Sequence, residues 1–291
     1  MSWLITGGSG QLGIAVSQEL GERGLNFRAW NSKELDITQG PIIRDFIDEL
    51  SPTVIVNCAA WTDVDGATGN EELASRVNSD GAANVALAAK QCGAKLIHIS
   101  TDYVFSGESE VPWHVNDITN PQSVYGRTKA NGEKRVLTLY PENSAIVRTA
   151  WLYSPWGKNF AKNMTRLAIK GHGDVRVIND QVGQPTSAID LAKQLVTLGQ
   201  SSAPAGIYHG TNAGQATWFE LAQEIFNLVG AQVDRIKAVS SAEFIRSAKR
   251  PSYSVLGHEA WVKTSVAPMR DWKIALTEAM PAIILAVKAE E

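Results

Sequence analysis

The sequence has 291 residues, of which 44% are hydrophobic and 20% charged, and its formal net charge is −3. A disordered chain would be poorer in apolar residues, and a binder of nucleic acid would carry a basic balance. No apolar run reaches the roughly 18–20 residues of a membrane helix, and the N-terminus carries no signal-peptide pattern. Two cysteines are too few for a disulfide framework. We therefore expect a soluble cytoplasmic protein with no nucleic-acid or membrane partner.

The first half of the chain alternates short apolar runs with helical patterns. Strands are predicted at 3–5, 27–30, 54–56, 95–99 and 144–148. Helices are predicted at 14–23, 42–50, 74–92 and 128–140. This alternation predicts a parallel sheet with right-handed crossovers. The expected fold class is α/β, with a doubly wound parallel Rossmann sheet and a smaller mixed α/β substrate-binding domain.

The second half has a looser rhythm, because prolines and glycines interrupt shorter elements. We expect residues 1–150 to form the dinucleotide-binding domain, rejoined by about 186–216, where 207–209 is predicted to be a returning strand. Residues 151–185 and 217–291 are expected to form the substrate-binding domain. The amphipathic stretch 272–287 predicts a helix that covers a core.

A glycine-rich stretch, residues 6–13, follows the first predicted strand and precedes the first helix. Its spaced glycines are Gly7, Gly10 and Gly13. Glycines let the backbone turn tightly and approach a pyrophosphate, and the N-terminus of the following helix presents free N–H groups to the anion. A dinucleotide-binding turn needs this context. The Gly-x-x-Gly-x-x-Gly spacing resembles the short-chain dehydrogenase/reductase superfamily, which implies a Tyr-x-x-x-Lys pair on a later helix.

Such a pair occurs once, as Tyr125 and Lys129, at the start of the predicted helix 128–140. Residues i and i+4 lie on the same helix face. A free tyrosine titrates near ~10, and an ammonium one turn away is expected to lower its pKa toward neutrality. The hydroxyl of Thr101, just after the strand 95–99, is suited to bind the same substrate oxygen as the tyrosine.

Longer sequence motifs indicate which family of this superfamily the chain resembles. Residues 57–65, 99–107 and 177–186 and the pair Arg250 and Pro251 keep the order of the motifs of the dTDP-4-dehydrorhamnose reductase family, and the resemblance spans roughly residues 1 to 275. These enzymes are extended short-chain reductases. The resemblance implies an NAD(P)H-dependent reduction of the 4-keto group of dTDP-4-dehydro-6-deoxy-L-mannose to dTDP-L-rhamnose.

The resemblance also implies roles for particular residues. Tyr125 would donate a proton to the C4 oxygen, Lys129 would hold the nicotinamide ribose and lower the pKa of Tyr125, and Thr101 would complete the catalytic set. With Tyr125 and Lys129, the candidate cofactor-binding residues are Gly7, Gly10, Gln11, Leu12, Gly13, Asn31, Ser32, Asp36, Ile37, Ala60, Trp61 and Thr62. The candidate substrate-binding residues are Thr101, Asp102, Trp151, Asn159 and Arg250.

The end of the second strand bears on the choice of cofactor. A site specific for NAD usually carries an acid there, which binds the ribose 2′-hydroxyl. No acid precedes Glu34 in this region, whereas Asn31 and Ser32 offer hydrogen-bond donors. Lys33 or Arg28 can supply charge to a 2′-phosphate. NADPH is therefore predicted to be preferred, with NADH accepted.

Some positions depart from the family pattern. Trp61 stands where a histidine is often found and Tyr253 where an asparagine is common, which leaves the sugar preference open. Some members dimerise through a metal bridged by glutamates, one of which would fall at Ala15, and alanine cannot be a ligand. We therefore predict no metal. A homodimer formed in another way stays open, and the expected partner is a small dTDP-sugar.

Three alternatives remain. The first is a nucleotide-sugar 4,6-dehydratase or epimerase of this fold. A dehydratase would need a glutamate after Asp102, where Tyr103 stands, and an epimerase would turn over without added NAD(P)H. A non-catalytic relative, the regulatory subunit of methionine adenosyltransferase, binds nucleotide without chemistry, and the intact Thr101, Tyr125 and Lys129 favour an enzyme instead. A reductase of a related dTDP-keto-deoxysugar is the third.

Overall fold

The computed structural model describes residues 1–244 and 246–290, without the side chain of Asp48. The main sheet has six parallel strands, in the order β2-β1-β3-β4-β5-β10. The strands are β1 (Ser2–Thr6), β2 (Asn26–Trp30), β3 (Val54–Asn57), β4 (Lys95–Thr101), β5 (Ser144–Thr149), β6 (Leu152–Tyr153), β7 (Val175–Ile178), β8 (Val182–Gly183), β9 (Thr186–Ser187), β10 (Gly206–His209), β11 (Ala216–Thr217) and β12 (Ile236–Val239).

Helices cover both faces of the main sheet. They are α1 (Gln11–Glu22), α2 (Gly40–Leu50), α3 (Val64–Gly69), α4 (Glu71–Ser75), α5 (Ala82–Cys92), α6 (Val124–Leu139), α7 (Phe160–Lys170), α8 (Ala188–Gln200), α9 (Trp218–Val229) and α10 (Trp272–Ala289). On β1, Ile5 faces a core shared with α1 and α8, whereas the adjacent Leu4 faces a core shared with α2, α5 and α6. Successive strand residues point to opposite faces, so the apolar strands bury both. The predicted doubly wound fold class is confirmed.

A second, smaller core lies outside the main sheet. It joins α7, α9 and α10 with the short parallel pair β7 and β12, through residues such as Phe226, Trp272 and Ile283. Strand β10 pairs in parallel with β5 at the edge of the main sheet, where a returning strand was predicted. Within residues 1–244 and 246–290, no helix is both long and apolar enough to cross a membrane.

Two helix boundaries differ from the predicted ones in ways that affect the site. Helix α6 begins at Val124, four residues before the predicted start, because the Ser123 hydroxyl accepts a hydrogen bond from the backbone N–H of Gly126 and caps the first turn. The predicted helix 74–92 starts at Glu71 as α4 and passes through a π-helical stretch, Arg76–Gly81, before α5. Such π-helical turns are frequent at functional sites.

Candidate active site

The glycine turn joins β1 to α1 and leaves the start of that helix open. Gly7 has φ 67°, and a Cβ there would lie 2.7 Å from the backbone nitrogen of Ala59. A Cβ on Gly13 would lie 2.3 Å from the carbonyl oxygen of Gly7. Gly10 caps α1 without any side-chain hydrogen bond. The first N–H groups of α1 are thus left for an external acceptor, and the turn fits the pyrophosphate of a dinucleotide.

A cavity of about 860 Å³ runs from this turn along the carboxyl ends of the central strands. Its lining includes sixteen of the sequence-predicted site residues, which are Gly7, Gly10, Gln11, Leu12, Gly13, Ser32, Asp36, Ile37, Ala60, Trp61, Thr62, Thr101, Asp102, Tyr125, Lys129 and Trp151. The strand order changes direction at β1, which lies between β2 and β3. Ligands of open α/β sheets bind at such a switch point.

Three predicted residues lie outside the lining of this cavity. The Asn31 side chain accepts hydrogen bonds from the backbone nitrogens of Lys33, at 2.9 Å, and Glu34, at 3.3 Å, and so closes the turn after β2. The Asn31 amide oxygen is thus used within the turn, and contact of Asn31 with the cofactor stays a prediction. Glu34 also folds back, and its Oε2 accepts a hydrogen bond from the Asn31 backbone nitrogen at 2.9 Å.

The amide of Asn159 is used within the protein. Its Oδ1 accepts a hydrogen bond from the Lys162 backbone nitrogen at 2.9 Å and caps α7. Its Nδ2 donates to Gln11 Oε1 at 2.9 Å and to the Ser154 carbonyl at 2.8 Å. In these contacts Asn159 orients Gln11, which lines the cavity, and direct contact of Asn159 with substrate stays a prediction.

Arg250 lines a neighbouring cavity of about 420 Å³ rather than the main one. Its Nη2 lies 2.6 Å from Asp65 Oδ2, and its guanidinium lies 5.8 Å from the centre of the Tyr103 ring. The two cavities share Val64 and Tyr103 in their linings. Arg176, which pairs with Glu243, and Arg246 also line the smaller cavity, and we call it the cationic cavity because its described lining holds three arginines and no acidic residue.

Tyr125 and Lys129 lie one turn apart near the start of α6, as predicted, and both line the main cavity. The Lys129 ammonium donates a hydrogen bond to the Ile99 carbonyl oxygen at 2.6 Å. Burial lowers the pKa of Lys129 to about 8, and the Glu133 carboxylate opposes this change. The lysine therefore keeps its charge at neutral pH.

Burial raises the pKa of the Tyr125 phenol above its ordinary value, and hydrogen bonding with Thr101 opposes the rise. Withdrawal of the phenol from water is the largest cause of this rise, and the expected lowering of the Tyr125 pKa by Lys129 stays a prediction. Nearby, burial raises the pKa of Asp102 to about 6, and Thr101 Oγ1 donates a hydrogen bond to Asp102 Oδ1 at 3.0 Å. Tyr125 is thus held in its neutral, proton-bearing form.

A buried ion pair lies behind Lys129. Arg148 donates from Nη2 to Glu133 Oε2 at 2.7 Å and from Nε to Glu133 Oε1 at 2.9 Å. The two side chains are 2% and 5% exposed. The Ser100 hydroxyl donates to the same carboxylate. Glu133 lies one turn after Lys129 on α6, so this network fixes the helix face that carries the candidate catalytic residues.

Asn78, in the π-helical stretch, is a site residue that sequence reasoning missed. Its Oδ1 accepts a hydrogen bond from the Trp61 backbone nitrogen at 2.8 Å, and its Nδ2 donates to the Trp61 carbonyl at 3.1 Å and to Thr128 Oγ1 at 3.0 Å. Asn78 thus joins the cofactor side of the cavity to α6. Its neighbours Ser75, Arg76, Ser79 and Asp80 are also polar, so no local pattern distinguishes Asn78 in the sequence.

Lys158 also lines the main cavity and was not predicted. Among the residues that the structure describes, no group of three or more His, Cys, Asp or Glu side chains could hold a metal. Ala15, where a bridging glutamate would fall in some relatives, is buried in the core beside α8.

Comparison with known proteins bears on the family. The profile of the RmlD substrate binding domain family matches residues 1–284. The chain belongs to this family. A dTDP-4-dehydrorhamnose reductase from Streptomyces griseus is 45% identical over 285 residues, which cover 97% of this chain and 93% of that protein. A dTDP-4-keto-6-deoxy-D-glucose reductase from Streptomyces niveus is 44% identical over 281 residues, which cover 96% of each.

Structural comparison agrees with the family assignment. The crystal structure of a dTDP-4-dehydrorhamnose reductase from Bacillus anthracis in complex with NADP matches with a TM-score of 0.92 at 36% identity, and the match covers 96% of this chain and 98% of that one. The resemblance inferred from the motifs is therefore confirmed. Both halves of this RmlD family member match the relatives, since each match spans nearly the whole chain.

Proposed function

We propose that this protein catalyses the NADPH-dependent reduction of the 4-keto group of dTDP-4-dehydrorhamnose to give dTDP-L-rhamnose, in the cytoplasm. The observation that carries the proposal is the convergence of Thr101, Tyr125 and Lys129 on one cavity with the open glycine turn. Family membership supports the same reaction, and so does the NADP complex of the relative from Bacillus anthracis.

In this proposal, residues 1–150 with about 186–216 bind the dinucleotide, and the remaining residues bind the sugar nucleotide. The cationic smaller cavity supports this division, because Arg176, Arg246 and Arg250 suit the diphosphate of a dTDP-sugar. Ser32 and Asp36 line the opposite end of the main cavity, beyond the glycine turn, and are assigned to the adenosine part of the cofactor.

The side chains of this protein supply the proton and its control. The reduced nicotinamide supplies a hydride when it is bound. Tyr125 donates its phenolic proton to the C4 oxygen, and its raised pKa keeps that proton in place at neutral pH until the substrate oxygen becomes strongly basic. Lys129 retains its charge and binds the ribose hydroxyls beside the phenol. Thr101 binds the same C4 oxygen as Tyr125.

Tyr103 separates this proposal from a dehydratase of the same fold. Loss of water from a sugar requires an additional acid beside Asp102, and the residue there is the phenol Tyr103 rather than a carboxyl group. Tyr103 instead packs edge-on against Tyr125, with ring centres 5.6 Å apart. The phenol pair supports a reductase that uses one proton donor.

A second substrate is favoured by a specific comparison. The Streptomyces niveus reductase, whose name specifies dTDP-4-keto-6-deoxy-D-glucose, is 44% identical, against 45% for the Streptomyces griseus protein. Its substrate differs from dTDP-4-dehydrorhamnose in the configuration of the hexose. Both compounds have the 4-keto group on which Tyr125 would act.

The test is an assay of the purified protein with each of these two keto sugars and with NADPH or NADH. We expect loss of the reduced-nicotinamide absorbance with dTDP-4-dehydrorhamnose and NADPH, and identification of the product as dTDP-L-rhamnose by NMR. Turnover of only the D-gluco compound would transfer the assignment to the second substrate. Binding of NADPH with no turnover of either sugar would contradict a reductase.

A further inference from the structure

Trp151 has an unusual backbone conformation. Among the described residues, only Ser51 and Trp151 combine a side chain with a positive φ, at 45° and 43°. Ser51 ends α2, where a left-handed residue is common. Trp151 lies two residues after the end of β5 and lines the main cavity, so the end of a helix does not explain it. Strain of this kind persists only when the surroundings enforce it, and it concentrates at functional sites.

An aromatic stack holds the Trp151 ring. The ring is parallel to that of Trp218, with centres 3.5 Å apart and an interplanar angle of 9°. Phe160 also packs against Trp218, with ring centres 4.7 Å apart. Trp218 is itself fixed, because it is the first residue of α9 and follows Thr217, which forms a capping box with Glu220.

A glycine makes room for the strained ring. A Cβ on Gly183 would lie 2.5 Å from Cε2 of Trp151, which no real side chain tolerates. Gly183 belongs to β8, and β8 pairs antiparallel with β11, which ends immediately before Trp218. The same two-stranded unit therefore fixes both neighbours of the Trp151 ring.

The stack lies where the two cavities meet. Trp151 lines the main cavity that contains Tyr125, whereas Trp218 lines the cationic cavity that contains Arg250. A sugar nucleotide that reaches from the arginines to Tyr125 must pass this pair. The orientation of the Trp151 ring therefore controls the hexose end of the path and leaves the glycine turn unaffected.

We propose that Trp218 and Gly183 are positioning residues that hold Trp151 in its strained orientation and thereby determine the affinity for the keto sugar. The proposal rests on the proposed function for its substrate, although the geometry it concerns can be measured without one. It assigns no contact between Trp218 and the reacting atoms. The effect of both residues passes through the Trp151 ring.

The spectroscopic test uses the stack itself. Two tryptophans stacked at this distance give an exciton couplet in the circular dichroism spectrum when their in-plane transition dipoles are skewed, and Trp151→Phe identifies the couplet by removing it. Gly183→Ala retains both tryptophans, so we expect it to abolish or invert the couplet only if Gly183 positions the Trp151 ring. An unchanged couplet in folded Gly183→Ala would overturn the proposal, whether or not the protein proves to be a reductase.

The kinetic test separates positioning from general damage. For Trp218→Ala, we expect the KM of the keto sugar to rise by about tenfold or more, with kcat reduced by less than about threefold and the Kd of NADPH unchanged. Trp218→Phe retains a stacking ring and should restore most of the affinity. The matched control is Trp113→Ala, which removes another stacked tryptophan, on Phe105 in a separate cluster.

The outcomes distinguish the two proposals. If the wild-type protein oxidises NADPH with neither keto sugar, the proposed function fails, and the couplet of Gly183→Ala still decides the positioning proposal. If the wild type is active and Trp218→Ala leaves KM unchanged, positioning by Trp218 is wrong. If Trp218→Ala and Trp113→Ala raise KM equally, the effect is one of general stability, which also overturns the proposal.

Discussion

Backbone atoms form the cofactor end of the active-site cavity, whereas large side chains form its substrate end. At the cofactor end, the glycine turn brings the backbones of Gly7, Gly13 and Ala59 into close contact. It leaves the first N–H groups of α1 open to a ligand. At the substrate end, large side chains from distant segments meet, as Trp151 and Trp218 do. The first end depends on the absence of side chains, and the second on their shape and charge.

The difference indicates which end of the cavity can change its specificity by single substitutions. A backbone cradle accepts any dinucleotide whose pyrophosphate fits, so few positions can change without loss of binding. At the substrate end, single substitutions can change the side chains that line the cavity without altering the main sheet.

The largest effect is expected where the two ends meet, at Tyr125. Tyr125→Phe removes the proposed proton donor and keeps the ring, so kcat should fall by roughly 10²–10⁴-fold, while the Kd of NADPH stays the same. Steady-state kinetics and fluorescence titration measure the two quantities. Full activity of Tyr125→Phe would mean that another group donates the proton to the C4 oxygen.

The next effect concerns stability beneath the catalytic helix. Glu133→Gln leaves the Arg148 guanidinium, which is 2% exposed, without its counter-charge. Removing one partner of a buried pair typically costs about 3–5 kcal/mol, and urea unfolding should show a loss of that size. Glu71→Gln is the control, because its pair with Arg127 of the same helix is exposed and should contribute less than about 1 kcal/mol. Equal losses would mean that burial does not matter here.

The cofactor end could be predicted from sequence because its geometry is local. A strand, a glycine turn and a helix follow one another in the chain, and Tyr125 and Lys129 share a helix face by spacing alone. The predicted fold class and the glycine turn followed from such patterns, whereas other lining residues, such as Ala60, Trp61 and Asp102, were implied by the family resemblance. The start of α6 was missed because its capping serine lies in a loop with no apolar periodicity.

The substrate end could not be predicted in the same way because its contacts span long stretches of chain. Asn159 meets Gln11 across 148 residues, and Arg250 meets Asp65 across 185. Whether an amide faces a ligand or another side chain is decided by which partner the folded chain brings near. The stack of Trp151 on Trp218 and the room left by Gly183 have no signal in local spacing.

A smaller effect tests the backbone cradle directly. Gly13→Ala would place a Cβ 2.3 Å from the Gly7 carbonyl oxygen, so the turn must shift. We expect the Kd of NADPH to rise by about tenfold, equivalent to about 1.4 kcal/mol, with the KM of the keto sugar changed less. Gly69→Ala is the control, since a Cβ there meets nothing within 4 Å. If both variants bind NADPH like the wild type, the glycine turn tolerates a side chain at position 13. The cofactor end then does not depend on the absence of side chains.

The smallest effect concerns the ion pair that orients Arg250 across the mouth of the smaller cavity. Asp65 also accepts hydrogen bonds from Ser247 Oγ and the Ala248 backbone nitrogen, both at 3.2 Å, so one carboxylate holds this whole segment.

Asp65→Asn keeps the size of the side chain and removes its charge. Because the Asp65 side chain is 39% exposed, solvent screens the pair, and the expected contribution is about 0.5–1 kcal/mol. The KM of the keto sugar should therefore rise by roughly two- to fivefold, with kcat and NADPH affinity unchanged. Glu108→Gln is the control, since it breaks the exposed pair with Lys249, the neighbour of Arg250. A lower KM in Asp65→Asn would show that Asp65 competes with the diphosphate for Arg250, and the substrate end would then be one that the ligand must open before it binds.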